Sequence, residues 1–284
     1  MISSLKNVGT HFYRKVSPAF GEKISLHWHR SSNFGDVLSK YIVERLSGKK
    51  VETVDQNTPY QHYLAIGSIL SLATDRSIVW GAGIANRNDT FLKRPRKISM
   101  VRGVYSRELC KTYGFKHEIQ LGDPGYAISQ IYNPPHRHKK YRLGVIPHWV
   151  DYKLARHFFS GDDDILVINL LTDDIEHVIG EILSCEKCIS SSLHGIVVCH
   201  SYQIPCLHVT FTDAEAQTGL KEFQLGGDGI KYLDYFSSVG IAEYKPLELR
   251  GAKAIQEIIL KISSDCGNHG QIKKIIDCCP FMER

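Results

Sequence analysis

Apolar residues come in short runs that end on glycine or a polar turn and give way to stretches of helical spacing. ISLHWHR (24–30) reads as a strand and SSNFGD as a turn. Residues 37–46 then put Leu38, Ile42 and Leu46 on one face of a helix. YLAIGSIL (63–70) and SIVWGAGI (77–84) repeat the apolar run with its glycine. KISMVRG (97–103) is a strand that ends in a basic turn, and SRELCKTYGF is a helix closed by Gly114. LGDPGYAI (121–128) ends this half. The alternation of strand, glycine turn and helix predicts a parallel α/β sheet.

Residues 132–142, YNPPHRHKKYR, break the pattern with two prolines and a basic cluster, the composition of a linker. The pattern then restarts. YRLGVIPHWVDY and DILVINL supply strands, and TDDIEHVIGEILSCEK is a helix capped by Thr172 or Asp173. CISSSLHG runs from strand to turn, IVVCHSYQ is a helix and IPCLHVTF a strand. A glycine-containing loop covers 213–231, and residues 252–265 form a terminal helix. The expected organisation is an N-terminal extension (1–22), one α/β domain (23–135) and a second (136–284) ending in a long helix. Within the extension, Leu5, Val8, Phe12, Val16 and Phe20 recur at helical spacing among Lys6, Arg14 and Lys15. That pattern fits a helix packed on the body, or a basic amphipathic foot on an anionic membrane surface.

Composition narrows the class without choosing a function. At about 150 residues per domain, 284 residues accommodate two domains. The net charge of +5 is too mild to argue for nucleic acid. No run approaches the ~18 apolar residues of a spanning helix, since Asn169 interrupts residues 165–171. The first residues lack the apolar core of a secretory signal, so the eight cysteines are expected reduced in a cytoplasmic protein. Cys185-x-x-Cys188 stands without a second pair, and Cys278-Cys279 are adjacent, so neither points to a metal.

In parallel sheets, ligands bind beyond the carboxyl ends of strands. The positions there are Asn33, Gly35 and Asp36; Gly67 and Ser68; Gly81 and Gly83; Arg102 and Arg107; His148; residues 190–195; and residues 221–235. No dinucleotide fingerprint, phosphate-loop motif, serine-hydrolase elbow or zinc-protease motif occurs.

In order along the chain stand NFGDVL (33–38), AIGSIL (65–70), VWGAGI (79–84), VRGVYSREL (101–109), LGDPGY (121–126), GVIPHWVDY (144–152), ISSSLHGIVVCHSYQIPC (189–206) and KYLDYF (231–236). This series resembles the polysaccharide pyruvyl transferase family, in particular its bacterial exopolysaccharide branch, over about residues 24–245. The resemblance implies two Rossmann-like domains with parallel sheets in a glycosyltransferase-B-like arrangement, with a cleft between them. It implies transfer of the enolpyruvyl unit of phosphoenolpyruvate to a sugar as a cyclic ketal, with no metal or further cofactor. The acceptor it implies is a polysaccharide or lipid-linked oligosaccharide, met at the cytoplasmic face of the membrane. It also implies that Arg102 and the SLHG segment with its preceding serines hold the donor.

A donor with roughly three negative charges suits arginine forks and helix N-termini. Arg102, Arg107, Ser190, Ser191, Ser192 and Gly195 are the expected donor contacts, and Asn33, Gly67, Ser68, Gly81, Lys231 and Asp234 complete the substrate-binding set. Several relatives carry Arg where this chain has Ser192; Arg107, Lys221 and Lys231 are the candidates to replace that charge. Protonation of the donor methylene needs an acid of near-neutral pKa, which points to His194 and then His148. Asp36 is the expected base, or else a helix N-cap, with Asp234 the other carboxylate. Tyr232 and Tyr235 either stack on a sugar or fill the core. Two other classes fit the same shape: a nucleotide-sugar glycosyltransferase, and a non-catalytic carbohydrate-binding relative.

Overall fold

The computed structural model describes residues 23–135, 138–213, 227–251 and 255–282. The N-terminal extension and Lys221 lie outside these residues. The first sheet contains β1 (Ile24–Leu26), β2 (Val51–Thr53), β3 (His62–Leu64), β4 (Ser77–Trp80), β5 (Lys97–Val101) and β6 (Gln120–Leu121). Between and after them come helices α1 (Phe34–Ser47), α2 (Val104–Thr112) and α3 (Ile128–Ile131). The second sheet contains β7 (Tyr141–Ile146), β8 (Ile165–Val167), β9 (Cys185–Ser190), β10 (Cys206–Phe211) and β11 (Leu247–Leu249). Its helices are α4 (Tyr152–Phe158), α5 (Ile175–Leu183), α6 (Leu193–Ser201), α7 (Ile230–Val239), α8 (Ile255–Ile259) and α9 (Gly270–Asp277).

Every strand pairing is parallel, and the alternation in the sequence is the reason, because each crossover carries a helix or a long connection. The orders are β2-β1-β3-β4-β5-β6 and β11-β10-β9-β7-β8. Both sheets therefore reverse direction beside their first strand, at β1/β3 and again at β7/β9. Such switch points leave a crevice beyond the strand ends where ligands bind.

Several local expectations need correction. Helix α1 begins at Phe34 with Asn33 in the N-cap position, so Asp36 lies in the first turn and is not a cap. Helix α5 is capped by Asp174, whose carboxylate accepts from His177 N at 2.9 Å, and not by Thr172 or Asp173. Strand β2, VET, has no apolar pattern to announce it and exists through its pairing with β1. Of the terminal helix expected over 252–265, of which 252–254 lie outside the described residues, the structure shows α8, which stops at Ile259. Beyond it, Leu260 is 86% exposed. Ser263 Oγ then accepts from Asp265 N, and Asp265 Oδ1 from Gly267 N, which turns the chain out of helical geometry. KYLDYF, left without an element above, forms most of α7.

The largest apolar cluster joins the two halves. It holds Leu26, Leu38 and Trp80 together with Ile146, Val178, Val197 and Tyr235. The end of the chain returns to the first sheet: Trp80 Nε1 donates to Ile275 O (3.1 Å), Gln271 Nε2 donates to Leu121 O (3.3 Å), and Tyr63 and Trp80 meet Phe281 edge-on. Ile230, the first residue of α7, belongs to the outer cluster of the first sheet with Val101 and Cys110. The cysteines carry free thiols, and burial holds those of Cys199 and Cys206 above their ordinary range. Among the described residues, no helix is long and apolar enough to cross a membrane.

Gly81 shows why one predicted site position is fixed by packing. Its φ is +98°, and a methyl group there would lie 2.1 Å from Cδ of Pro124. Gly81→Ala is expected to cost roughly 1–3 kcal/mol through strain and overpacking, read as a lower urea midpoint at unchanged slope.

Candidate active site

Arg102 follows directly on β5 and is wholly buried. Its Nε donates to Asp234 Oδ2 (3.1 Å), Nη1 to Ser68 Oγ (2.9 Å) and Nη2 to Ile84 O (2.5 Å). Asp234, on α7, also accepts from Ser106 N (3.0 Å) and Ser106 Oγ (2.5 Å). One buried ion pair thus joins the segments after β3 and β4, the start of α2, and α7. The guanidinium lies so close to Gly83 that a methyl group there would sit 2.4 Å from its Cζ. A buried pair with satisfied hydrogen bonds contributes little net stability, but removing one partner strands a charge.

The second sheet contributes a matching set. Ser190 Oγ donates to Ile146 O (2.7 Å) and accepts from Ser192 N (3.0 Å), closing the turn between β9 and α6. Ser191 Oγ donates to Asp151 Oδ2 (2.7 Å) and accepts from His148 N (2.9 Å), which binds the ends of β7 and β9 together at the switch point. Its carbonyl accepts from Tyr232 OH (2.7 Å), bringing in α7. Gly195 lets α6 press onto the sheet, since a methyl group there would lie 2.6 Å from Ser190 Oγ. Ser192 occupies the N-cap of α6 and makes no side-chain capping bond.

His194 stands where the two sets meet. It lies in the first turn of α6 against the start of α1, so near that a methyl group on Gly35 would be 2.1 Å from its Nδ1. Its Nε2 is buried and has no hydrogen-bond partner. Burial, then the positive charges of Lys231 and Arg102 and the neighbouring His148, push its pKa down to about 3. Lys231, in the first turn of α7, is pushed down to about 8 by burial and by Arg102, against an opposing pull from Asp151. Concentrated buried positive charge of this kind is unfavourable by itself and favourable around a polyanion. The near-neutral pKa expected of His194 is therefore not met by the protein's own groups. The neutral ring is the consequence first of its burial and then of its basic neighbours.

The structure draws most of the predicted residues to this place. Ser68 and Asp234 touch Arg102. His148 and Ser191 are bonded to each other, and Lys231 lies within the field of His194. Asp36 accepts from Ser31 Oγ (2.6 Å) and Asn33 Nδ2 (3.4 Å) on the turn beside Gly35. Gly67, at φ +123°, holds the β3 turn, its carbonyl accepting from Gly83 N. Arg107, next to Ser106 on α2, lies 4.0 Å from Glu108, and among the described residues its buried Nε has no hydrogen-bond partner. Tyr235 is fully buried, and Tyr232 is 3% exposed with its ring stacked on His208 at 3.8 Å, so both are core residues.

Sequence reasoning missed Ser106, Asp151 and Asp123. All three lie inside quoted motifs, yet the roles of Ser106 and Asp151 come from partners distant in sequence. Asp123 is buried, and its carboxyl is pushed up to about 6 by burial, against the pull of Arg102 and of Gly125 N.

Comparison with known proteins adds a family to this geometry. Residues 33–212 match the family described as polysaccharide pyruvyl transferase. The chain is also similar to the uncharacterised protein L143 of Acanthamoeba polyphaga mimivirus, with 32% identity over 230 residues, covering 78% of this chain and 76% of that protein. That relative is viral, so the match does not select the bacterial branch. No solved structure matches the chain significantly.

Asp234→Asn is expected to destabilise the fold by about 3–5 kcal/mol, because Arg102 would keep its buried charge without a counterion; chemical denaturation measures this. The low pKa of His194 sets a sign as well. The unfolded ring takes up its proton near pH 6.5 and the folded ring near 3, so stability falls as the pH drops between those values. His194→Gln should flatten that acid limb in urea melts recorded from pH 7 to 4.

Proposed function

The chain belongs to the polysaccharide pyruvyl transferase family, and we propose that it transfers the enolpyruvyl unit of phosphoenolpyruvate to a pair of sugar hydroxyls, closing a cyclic ketal. The observation that carries this reading is the buried, unpartnered Nε2 of His194, in a ring that feels the charges of Lys231 and Arg102 and the neighbouring His148. A donor bearing a phosphate and a carboxylate supplies the negative charge that this cluster lacks. Lys231 takes the place of the arginine absent at Ser192, since its amine acts on His194 directly. Ser191 and Ser68 keep the cationic groups in position.

A bound trianion reverses the electrostatic balance at His194, drawing its pKa upward until it holds a proton. His194 gives that proton to the donor methylene, and the adjacent carbon gains oxocarbenium character. A sugar hydroxyl adds to that carbon and loses its proton to Asp36. Phosphate departs with the electrons of its C–O bond, and the second hydroxyl adds in its place, releasing a proton as the ketal closes. The scheme calls on no cofactor.

The wider setting belongs to the same proposal. The acceptor is a polysaccharide or a lipid-linked oligosaccharide. The two units, 23–135 and 136–284, adopt a glycosyltransferase-B-like arrangement and face one another across the substrates. The protein works on the cytoplasmic side of the membrane.

The test is an assay of the full chain with phosphoenolpyruvate and a panel of galactosides, glucosides and mannosides, run beside a panel of nucleotide sugars. Phosphate release that depends on a sugar acceptor is expected, with kcat lowered about 10²–10⁴-fold in His194→Ala. Release of a nucleoside diphosphate, without phosphate from phosphoenolpyruvate, would overturn the reading in favour of glycosyl transfer. Donor affinity should weaken as the pH rises through about 8, where Lys231 loses its charge, and Lys231→Met should remove that dependence.

A further inference from the structure

Where β1 ends, the chain leaves the strand pattern for Trp28, Arg30, Ser31 and Ser32, and with Thr53 at the end of β2 these residues line an open groove of about 590 Å³. The two strands run parallel with Leu26 opposite Thr53, so their ends open on the side of the sheet where ligands bind. The indole of Trp28 is fixed as a wall of this groove. Its Nε1 donates to Thr53 Oγ1 (3.0 Å), and its ring packs against the main apolar cluster. Arg30 crosses to β2 as well, its Nη2 donating to Thr53 O (3.2 Å). Arg30, Ser31 and Ser32 are exposed, and among the described residues the guanidinium pairs with no carboxylate.

The groove shares a residue with the site. Ser31, which lines it, donates to Asp36 Oδ2 (2.6 Å) and accepts from Asn33 N (3.1 Å). Asn33 Nδ2 donates to the same carboxylate oxygen (3.4 Å). The wall of the groove therefore holds one oxygen of the residue to which the acceptor's proton was assigned above. One position before it, Gly35 packs on His194. An aromatic face, a guanidinium fork and hydroxyls along one edge suit a neutral polyol. The C–H face of a pyranose is drawn to the negative face of an indole, and its hydroxyls find donors and acceptors around it.

We propose that this groove holds the pyranose of the acceptor, with Trp28 as the stacking face and Arg30 as the fork that grips two adjacent hydroxyls; this rests on the pyruvyl transfer reading above. Both residues are thereby specificity-determining. A planar fork with donors at fixed spacing selects a sugar whose neighbouring hydroxyls match it, which an ammonium on a flexible stem does not. The hydroxyls away from Arg30 are left to meet Asp36.

The experiment is a glycan array bearing terminal galactose, glucose, mannose and N-acetylglucosamine. It is probed with the full chain as wild type, Trp28→Ala, Trp28→Phe, Arg30→Lys and, as a surface control, Lys261→Gln. Thermal unfolding without ligand checks each fold, and the shift on adding phosphoenolpyruvate reports donor binding. The proposal expects Trp28→Ala and Arg30→Lys each to weaken glycan binding about tenfold, Trp28→Phe to stay within about threefold of wild type, and Lys261→Gln to change nothing. The shift with phosphoenolpyruvate should be the same in every variant. Trp28 also supports the core, so if Trp28→Ala does not fold, Arg30→Lys, on an exposed side chain, decides the matter. Full glycan binding by a folded Trp28→Ala or by Arg30→Lys overturns the proposal, as does a wild type that binds no glycan, or donor affinity lost in step with glycan affinity. Wild type that binds glycans through Trp28 and Arg30 but gains no shift from phosphoenolpyruvate overturns the transfer reading and leaves the groove standing as a sugar site. Displacement of the glycans by uridine diphosphate overturns the pyranose assignment in favour of a nucleotide.

Discussion

The buried ion pair between Arg102 and Asp234 is the constraint on which the rest of the site depends. Its partners come from four segments, and in a low-dielectric interior none of them can be withdrawn without exposing an uncompensated charge. Through Asp234 the pair fixes the register of α7 against α2. Lys231 stands three residues before Asp234 and so lies on the same side of the helix. The helix that neutralises one cation therefore delivers the next. The close packing of Gly83 on the guanidinium has the same cause, because a fork pinned by three acceptors leaves no space for a side chain.

Around this pair, both sheets use the same topological device. Each reverses order beside its first strand, and the residues that converge are those just beyond the strand ends at or near that reversal. His148 and Ser191 follow the neighbouring strands β7 and β9, while Asn33 and Ser68 follow β1 and β3 by short turns. The groups at the centre differ in what the protein does to them. Asp234 is paired with the arginine it faces, burial pushes Asp123 toward its neutral form, and His194 is held neutral by burial first and by nearby cations second.

Short-range chemistry was legible in the sequence, and long-range pairing was not. Short apolar runs placed β1, β3, β4, β5, β7, β8, β9 and β10, and the LGDPGY and SSSLHG turns marked strand ends. The short β2 and the cap of α5 escaped because pairing and a single carboxylate decide them, with no apolar period to reveal either. The identity of Arg102 as a key residue was readable, but its partner 132 residues away was not. Asp36 looked like either a base or a cap, and one residue of context, Asn33, removed the second choice. The pKa of His194 had no sequence signature, since it depends first on burial in the assembled fold and then on Lys231 and Arg102 arriving from other elements.

The return of α9 to the first sheet bears on how the molecule comes together. The indole of Trp80, in the middle of that sheet, finds its acceptor 195 residues later at Ile275. The packing of Phe281 on Tyr63 spans a similar stretch of chain. During synthesis the strands of the first sheet leave the ribosome well before α9, yet one of their faces stays open until α9 and Phe281 arrive. Contacts of such separation are slow to form and leave apolar surface uncovered while they wait. The first sheet is thus translated well before it is completed, and α9 acts as its closing piece.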